Sequence, residues 1–320
     1  MSDVTRRDFL KWMGATGVSV ALLAAGCTPA ETAPETPDSS EPAAPPPEQG
    51  TGDAYMAIVR GPDPAAITEA AVEALGGIGR FVRSGDEVIV KPNMCVNYST
   101  YEYAATTNPT VVATLVRLCR EAGAKRVRVM DTPYTGDPET AYRTSGIYDA
   151  VIEAGGEMEV MSGVKFVKVD IPDGRDITSW PVYGDVMDAD VLINVPIAKH
   201  HGSTRLTLGC KNLMGVIQRA NQFHRNLHQR IADLNTIVRP ALTVIDAVRI
   251  LTAHGPGGGN LADVKVLDTV IASHDIITAD SYATTLFGLT PDDIGYIRLG
   301  AEMGLGEHDW TKVRVQEIAL

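Results

Sequence analysis

Short apolar segments alternate with longer stretches of helical periodicity between residues 55 and 318, and this alternation limits the folds open to the chain more than any other feature. The pattern predicts strands at residues 55–60, 87–90, 126–130, 191–195, 242–245, 266–272 and 313–318. It predicts helices at residues 63–81, 108–123, 139–154, 223–237, 276–287 and 291–303. We therefore expect an α/β fold with a mixed, largely parallel sheet flanked by helices, built as one compact unit or as two lobes.

The start of the chain is typical of an export signal. Adjacent arginines, Arg6 and Arg7, are followed by Phe-Leu-Lys and then by an uncharged run from Trp12 to Gly26. That run is shorter than the roughly 20 apolar residues that a membrane-spanning helix needs. The sequence therefore predicts a signal peptide at residues 1–26 that is recognised by the twin-arginine translocation machinery.

A cysteine follows this signal directly. Residues 22–27 resemble a lipobox, in which small residues precede a cysteine that becomes the acylated N-terminus, although Ala24 stands where leucine is usual. Lipidation at Cys27 would anchor the protein to a membrane of the cell envelope. Cleavage at a nearby small residue would instead give a soluble periplasmic protein.

The segment after Cys27 separates this signal from the predicted fold. Residues 28–53 hold seven prolines, six acidic residues and no basic residue. Such a composition buries too little apolar surface to become ordered. We therefore predict a disordered tether at residues 27–53 and an α/β domain at residues 54–320.

Charge and cysteine content argue against two classes of function. The net charge of -12 disfavours nucleic acid as a partner. The cysteines are Cys27, Cys95, Cys119 and Cys210, and they form no C-x-x-C pair, so an iron–sulfur cluster in this chain is not expected. In an oxidising compartment one disulfide is an option, with Cys95 and Cys210 as the favoured pair because both lie beside candidate site residues.

One segment reverses the acidic character of the chain. Residues 191–232 contain no Asp or Glu, although the chain holds 40 acidic residues in 320. The segment includes four of the seven histidines and these basic residues: Lys199, Arg205, Lys211, Arg219, Arg225 and Arg230. The distribution predicts a local positive field and a small anionic molecule as ligand. The alternative is a solvated basic face that balances nearby acidic residues.

Within this segment, Lys199, His200 and His201 follow a predicted strand, where a turn can direct side chains into a cleft. Because successive side chains of an extended backbone point to opposite sides, only one of the two histidines is expected to face the site. A histidine suits proton transfer near neutral pH, and a lysine stabilises negative charge that develops on a substrate. We therefore predict these three residues as the catalytic group.

Further anion contacts are expected at a second strand end. Lys91 and Asn93 follow the strand that ends at Val90, and sites in α/β sheets gather at such positions. The alternative for Lys91 is a surface lysine before the turn that Pro92 imposes. The complete set of predicted anion or substrate contacts is Lys91, Asn93, Asn108, Lys211, Asn212 and Arg225.

A divalent metal is one option for a cofactor. His224 and His228 are four residues apart on a predicted helix, so both could reach one metal ion. Asp246 follows a predicted strand and could complete the ligand set. Alternatively, the histidines contact an anion or lie on the helix surface, and the aspartate caps the segment that follows it.

With these motifs in view, the chain resembles the domain-of-unknown-function 362 family over nearly all of residues 54–320. The segments that carry the resemblance are Val90-Lys91-Pro92-Asn93, Thr107-Asn108-Pro109, residues 121–127, residues 189–196, Lys199-His200-His201-Gly202, residues 211–216, residues 228–234 and Asp280. Some members of that family carry fused iron–sulfur modules, whose cysteine cluster this chain lacks. The resemblance implies a fold and a domain more securely than an activity.

Three functions follow from these expectations. The first is an extracytoplasmic enzyme that acts on a small anionic substrate through lysine and histidine residues, with or without a metal. The second is a lipid-tethered protein that binds an anion or a metal without turnover. The third, implied by the resemblance alone, is a redox accessory of an iron–sulfur pathway.

Overall fold

A computed structural model describes residues 55–320, so the predicted signal peptide, the Cys27 lipidation site and the predicted tether lie outside the described residues. The strands are β1 (Met56–Arg60), β2 (Glu87–Pro92), β3 (Arg126–Val129), β4 (Glu157–Met158), β5 (Phe166–Asp170), β6 (Ser179–Tyr183), β7 (Val191–Val195), β8 (Ile197–His201), β9 (Arg205–Thr207), β10 (Leu242–Leu251), β11 (Val264–Ser273) and β12 (Val315–Ala319). The main sheet has ten strands, with the order β12-β1-β11-β10-β7-β2-β3-β4 along its main path. Strand β8 pairs with β10 and β9, and β5 and β6 form a separate antiparallel pair.

The main sheet is mixed and mostly parallel, which confirms the predicted fold class. Strand β2 runs parallel to both β3 and β7. The pairs β3 and β4, β7 and β10, and β1 and β12 are also parallel. Strand β11 runs antiparallel to β1 and β10. Parallel strands covered on both faces are apolar along their length, and the buried run of β7 has that character.

Helices lie between these strands. They are α1 (Pro64–Ala74), α2 (Pro109–Glu121), α3 (Pro138–Thr144), α4 (Ile147–Glu153), α5 (Gly184–Asp188), α6 (Gly209–Asn212), α7 (Ala220–Phe223), α8 (Leu227–Asn235), α9 (Ile276–Thr284) and α10 (Gly295–Glu302). Asp63 and Asn108 cap α1 and α2, each ahead of a proline at the first helical position. Among the described residues, no helix has the length and apolar character needed to cross a membrane.

Several predicted helices were too long, including the one at 291–303, which spans only Gly295–Glu302. The helix predicted at 63–81 ends at Ala74, because Gly76 and Gly77 adopt left-handed φ angles of 98° and 79°. The helix predicted at 139–154 is divided by Gly146, with a φ of 82°, into α3 and α4. The helix predicted at 223–237 becomes regular only at Leu227. Strands β4, β5, β6, β8 and β9 were not predicted.

The alternation of side chains along the central strands builds one apolar core on each face of the sheet. In β2, Val88 and Val90 belong to one core cluster, and Ile89 between them belongs to the other. Lys91 lies two residues after Ile89, so its side chain is directed to the same face as Ile89. That face therefore receives a charged group where β2 ends.

Candidate functional site

A cavity of about 540 Å³ lies where the parallel neighbours β2 and β3 end. Residues that follow adjacent parallel strands meet at one edge of the sheet, which is where α/β proteins commonly place their sites. Strands β8 and β9, helix α6, residues 214–224 and the loop at residues 255–256 complete the wall. The charged and imidazole groups of the wall are Lys91, Asp131, Lys199, His201, Lys211 and His224.

Lys91 and Asp131 form a buried ion pair in this wall. Lys91 Nζ lies 2.7 Å from Asp131 Oδ1, and the two side chains are 0% and 3% exposed. Burial lowers the pKa of Lys91, and the neighbouring Asp131 opposes that shift. A Cβ atom at Gly215 would lie 1.9 Å from Asp131 Oδ1 and 2.6 Å from Lys91 Nζ, so the pair requires glycine there. The protein itself thus balances the charge of Lys91.

A chain of amide side chains connects this pair to a second lysine. Asn212 Oδ1 accepts hydrogen bonds from Lys91 Nζ and Asn93 Nδ2, both at 2.9 Å. Asn212 Nδ2 donates to Asn194 Oδ1 at 2.9 Å, which fixes the orientation of the amide. Asn93 Oδ1 accepts from Lys199 Nζ at 2.9 Å. The two amides therefore hold both lysines in fixed positions.

Lys199 is buried without a counterion. Its Nζ donates to Asn93 Oδ1 at 2.9 Å, to the Ala105 carbonyl at 2.6 Å and to the Pro256 carbonyl at 3.0 Å. These three neutral acceptors occupy the three N–H donors of an ammonium group. No carboxylate in the described part of the chain lies within ion-pairing distance of it. Lys199 therefore contributes a positive charge to the cavity that the protein does not balance.

Lys211 differs from the other two lysines of the wall. It lies at the end of α6, is partly buried and has no hydrogen-bond or ion-pair partner among the described residues. Burial and the positive charges of Lys199 and Lys91 lower the pKa of Lys211 to about 8, against an opposing contribution from Cys95. Its Nζ is therefore free to contact a molecule in the cavity.

His201 presents a neutral imidazole to the cavity. Its Nδ1 accepts hydrogen bonds from the backbone N–H groups of Ser203 and Thr204, at 3.1 and 3.3 Å. These bonds assign the ring proton to Nε2. Burial, together with the positive charge of Lys211 and Lys199, lowers the pKa of His201 to about 3. The ring is therefore a hydrogen-bond donor at neutral pH, and the sequence expectation of a histidine that titrates near pH 7 does not fit this environment.

His200 points to the other side of β8, as expected for adjacent residues of a strand. Its Nδ1 accepts a hydrogen bond from the Gly255 N–H at 3.0 Å, and it is not part of the cavity wall. This contact holds the loop whose Pro256 carbonyl binds Lys199. Of the predicted catalytic group, Lys199 and His201 line the cavity and His200 supports its loop.

Asp280 positions the turn that carries Lys211. Its two carboxylate oxygens accept from the N–H groups of Gly209 and Cys210 at 2.6 and 2.8 Å. Burial raises the pKa of Asp280 to about 7, although these two hydrogen bonds oppose the shift. The carboxyl group thus fixes the start of α6 and, through it, the places of Lys211 and Asn212.

Two of the predicted anion contacts lie elsewhere. Asn108 caps α2 through its side chain and donates its backbone N–H to Asp246 at 2.7 Å, outside the cavity wall. Arg225 is exposed and is also absent from the wall. The remaining four, Lys91, Asn93, Lys211 and Asn212, line the cavity together.

The three residues considered as metal ligands do not converge. His224 lines the cavity, whereas His228 stacks on Tyr296 with ring centroids 6.1 Å apart. Asp246 accepts backbone N–H groups from Asn108 and Val248, which is a structural role. Across residues 55–320, no group of three or more His, Cys, Asp or Glu side chains is arranged to hold a metal ion.

The described cysteines are free. Cys95, Cys119 and Cys210 are all buried as thiols, so the disulfide considered between Cys95 and Cys210 is not formed. Cys210 is hydrogen-bonded to Asp280, and burial raises the pKa of its thiol. Cys95 lines the cavity, and its thiol donates to the Pro256 carbonyl at 3.5 Å.

Sequence reasoning assigned no substrate contact to four residues of the site: Asp131, Asn194, Gly215 and Asp280. Asp131 follows a predicted strand, so its position was a usable signal for a partner of Lys91. Gly215 lies within residues 211–216, which carry the family resemblance, but its role depends on an ion pair formed by residues distant in the chain.

The sequence model of the family described as "Domain of unknown function (DUF362)" matches residues 88–285. A thylakoid-associated protein of Synechocystis sp. is 28% identical over 249 residues, which is 73% of this chain and 73% of that protein.

Two solved structures align with part of this chain. The lactate racemase apoprotein of Thermoanaerobacterium thermosaccharolyticum aligns with 75% of this chain and 58% of its own, at 10% identity and a TM-score of 0.48. A protein from Thermotoga maritima aligns with 71% of this chain and 59% of its own, at 14% identity and a TM-score of 0.45. This chain thus spans less than two thirds of either solved protein.

Proposed function

The chain belongs to the family described as domain of unknown function 362, and from this membership and the cavity we propose that it is an enzyme acting on a small anionic molecule. The family description specifies no reaction, so the proposal depends on the cavity. Within its wall, three lysines accompany a single carboxylate, that of Asp131. Unbalanced positive charge in a poorly solvated site attracts an anion strongly, because the local dielectric is low. This charge imbalance is the observation that carries the proposal.

Each group has a distinct part in the proposed site. Lys199 and Lys211 supply the positive charge, since Lys91 is balanced by Asp131. The Nε2–H of His201 donates a hydrogen bond to an oxygen of the bound anion and stabilises charge that develops there. Asn93 and Asn212 hold the lysines in place, which reduces the reorganisation needed during a reaction.

The test is a thermal-shift series with oxalate, malonate, inorganic phosphate and acetate, because a ligand of the folded state raises apparent stability. We expect at least one of these anions to stabilise the full-length protein, and Lys199→Met and Lys211→Met to show a smaller stabilisation. Lys168→Met, at an exposed lysine outside the cavity, is the matched control and should behave as the wild type. Equal stabilisation of all four proteins would place the anion elsewhere and refute the proposed site.

A binding protein without turnover is the second candidate, and one observation favours it. Lys91 and Lys199 have all their donors occupied and His201 stays neutral near pH 7, so few groups of the wall can exchange a proton there. NMR spectra of each stabilising anion, incubated with the protein in D₂O, separate the two candidates. A change in the ligand or exchange of its C–H protons supports an enzyme, and an unaltered ligand supports a binding protein.

We also propose that the protein works in the cell envelope, on the basis of Arg6, Arg7 and Cys27. Export should depend on the arginine pair, and membrane attachment on the cysteine. Cell fractionation of the Arg6→Lys/Arg7→Lys double variant and of Cys27→Ala tests both steps. Retention of the double variant inside the cell, and release of the cysteine variant from the membrane fraction, are the expected results. Unchanged fractionation of both variants would remove this proposal.

A further inference from the structure

The three lysines of the cavity differ in what holds their ammonium groups. Lys91 Nζ contacts Asp131 Oδ1 at 2.7 Å, Asn212 Oδ1 at 2.9 Å and the Pro92 carbonyl at 3.0 Å. Lys199 likewise has three acceptors. For Lys211, by contrast, the described residues provide no hydrogen-bond acceptor and no carboxylate. A lysine needs a free lone pair to act as a nucleophile, and only Lys211 among these three is placed to expose one.

The surroundings of Lys211 lower its pKa to about 8, so more of its side chain is the uncharged amine near neutral pH than in an ordinary lysine. Burial and adjacent cations are the two means by which proteins activate a lysine nucleophile, and both act here. Lys199 is held without a carboxylate, so its charge is not screened by a protein counterion. A lysine that served only to hold an anion would bind it best as the charged ammonium. The surroundings of Lys211 instead lower its pKa and so oppose the charged form.

We propose that Lys211 is the nucleophile of the cavity and that its Nζ forms an imine with the carbonyl carbon of a small 2-oxo carboxylate. This inference rests on the proposed function, since it identifies the class of anion that the site accepts. Lys199 would provide the counter-charge for the carboxylate, and the His201 Nε2–H would donate to the carbonyl oxygen. A carbonyl and a carboxylate on adjacent carbons would fit within a cavity of about 540 Å³.

The step requires no oxidant or reductant. The Nζ lone pair forms a bond to the carbonyl carbon, the π electrons of the C=O bond move to oxygen, and a proton passes from nitrogen to that oxygen. The hydroxyl group of the resulting carbinolamine takes up a proton from solvent and leaves as water, while the nitrogen lone pair forms the C=N bond and gives the protonated imine. The protonated imine then withdraws electrons from the adjacent carbon atoms, which is the general use of such lysines.

Reductive trapping tests this inference. The full-length protein is incubated with pyruvate or 2-oxoglutarate and sodium cyanoborohydride, and the modified lysine is located by peptide mass mapping. We expect one reduced adduct, located at Lys211. Lys211→Arg keeps the positive charge but cannot form an imine, so it should lose the adduct completely. Lys168→Arg is the control at an exposed lysine and should retain the adduct at Lys211.

The outcomes separate this inference from the proposed function. If oxalate stabilises the wild type but neither 2-oxo acid gives an adduct, the imine is refuted and the anion site stands. An adduct at Lys91 or Lys199, or labelling spread over exposed lysines only, also refutes it. If Lys211→Arg does not fold, oxalate should protect Lys211 of the wild type from labelling, and lack of protection counts against the inference. If no anion binds and no adduct forms, both proposals fail.

Discussion

Two clusters of charged side chains in this molecule differ in how their charges are balanced. In the first, which we term the outer cluster, Arg128 and Lys165 each contact both Glu159 and Asp185. In the cavity wall, three lysines accompany only the carboxylate of Asp131. The outer cluster is complete by itself, whereas the cavity has positive charge that only an added anion can balance. Charge balance therefore distinguishes a structural ion cluster from a site for a ligand, even where both contain lysines.

The two clusters shift the pKa of lysine in opposite directions. Hydrogen bonds to Asp185 and Glu159 raise the pKa of Lys165 well above its usual range. Burial and neighbouring cations lower the pKa of Lys211 to about 8. Lys165 is thus committed to its charged form, and Lys211 can change protonation state in a range close to physiological pH.

The largest loss of stability is expected where charged side chains are most deeply buried. Lys91→Met leaves Asp131 buried without its counterion, and loss of one member of a buried pair costs about 3 to 5 kcal/mol. Urea unfolding at pH 7 measures the free energy of unfolding. The double variant Lys91→Met/Asp131→Asn should recover part of the loss, since it leaves no unpaired charge. If the free energy of unfolding of Lys91→Met lies within about 1 kcal/mol of the wild-type value, this pair does not behave as a buried ion pair.

The fold followed from the sequence because its signals are local. Apolar runs such as residues 191–195 and caps such as Asn108 act within a few residues, and they predicted strand β7 and the start of α2 correctly. Errors occurred where glycine interrupts a helical pattern, as at Gly146. The short strand β8 escaped prediction because it pairs with a distant strand, β10, and β9 pairs in turn with β8.

The site was predictable to the extent that its residues follow strands. Lys91 and Lys199 were found through that position, and they share one cavity wall. What the sequence did not show is which lysine is paired, because the partners of Lys91 and Lys199 come from residues up to 121 positions away. The low pKa of His201 was hidden for the same reason, since burial is a property of the assembled fold.

A smaller effect is expected from the titration of Lys211. As pH rises through about 8, Lys211 loses its charge, so affinity for an anion such as oxalate should fall by about tenfold. The free energy of unfolding should change in the opposite direction to the affinity. Between pH 8 and the usual lysine value of 10.5, the unfolded chain binds a proton that the folded protein has released, so the free energy of unfolding rises with pH.

Calorimetric titration and urea unfolding from pH 7 to 10 measure these two trends. Lys211→Met should remove the fall in affinity and reduce the rise in stability, part of which remains because burial also lowers the pKa of Lys91. The other groups that face Lys211, which are Lys199, Cys95 and His201, are unchanged in that variant. Lys168→Met should retain both trends. If the affinity of Lys211→Met still falls through pH 8, another group in the cavity is responsible and the assignment to Lys211 is wrong.

The smallest effect is expected in the outer cluster. Lys165 is 43% exposed, and Arg128 still contacts both Glu159 and Asp185 when the Lys165 ammonium is removed. Lys165→Met should therefore cost less than about 1 kcal/mol, as is usual for exposed ion pairs. Because the pKa of Lys165 is raised, its contribution is present at pH 7 and is lost only above the usual lysine range. Urea unfolding of Lys165→Met and Lys91→Met under the same conditions compares the two clusters directly. A loss as large as that of Lys91→Met would mean that burial and charge balance do not separate the two clusters.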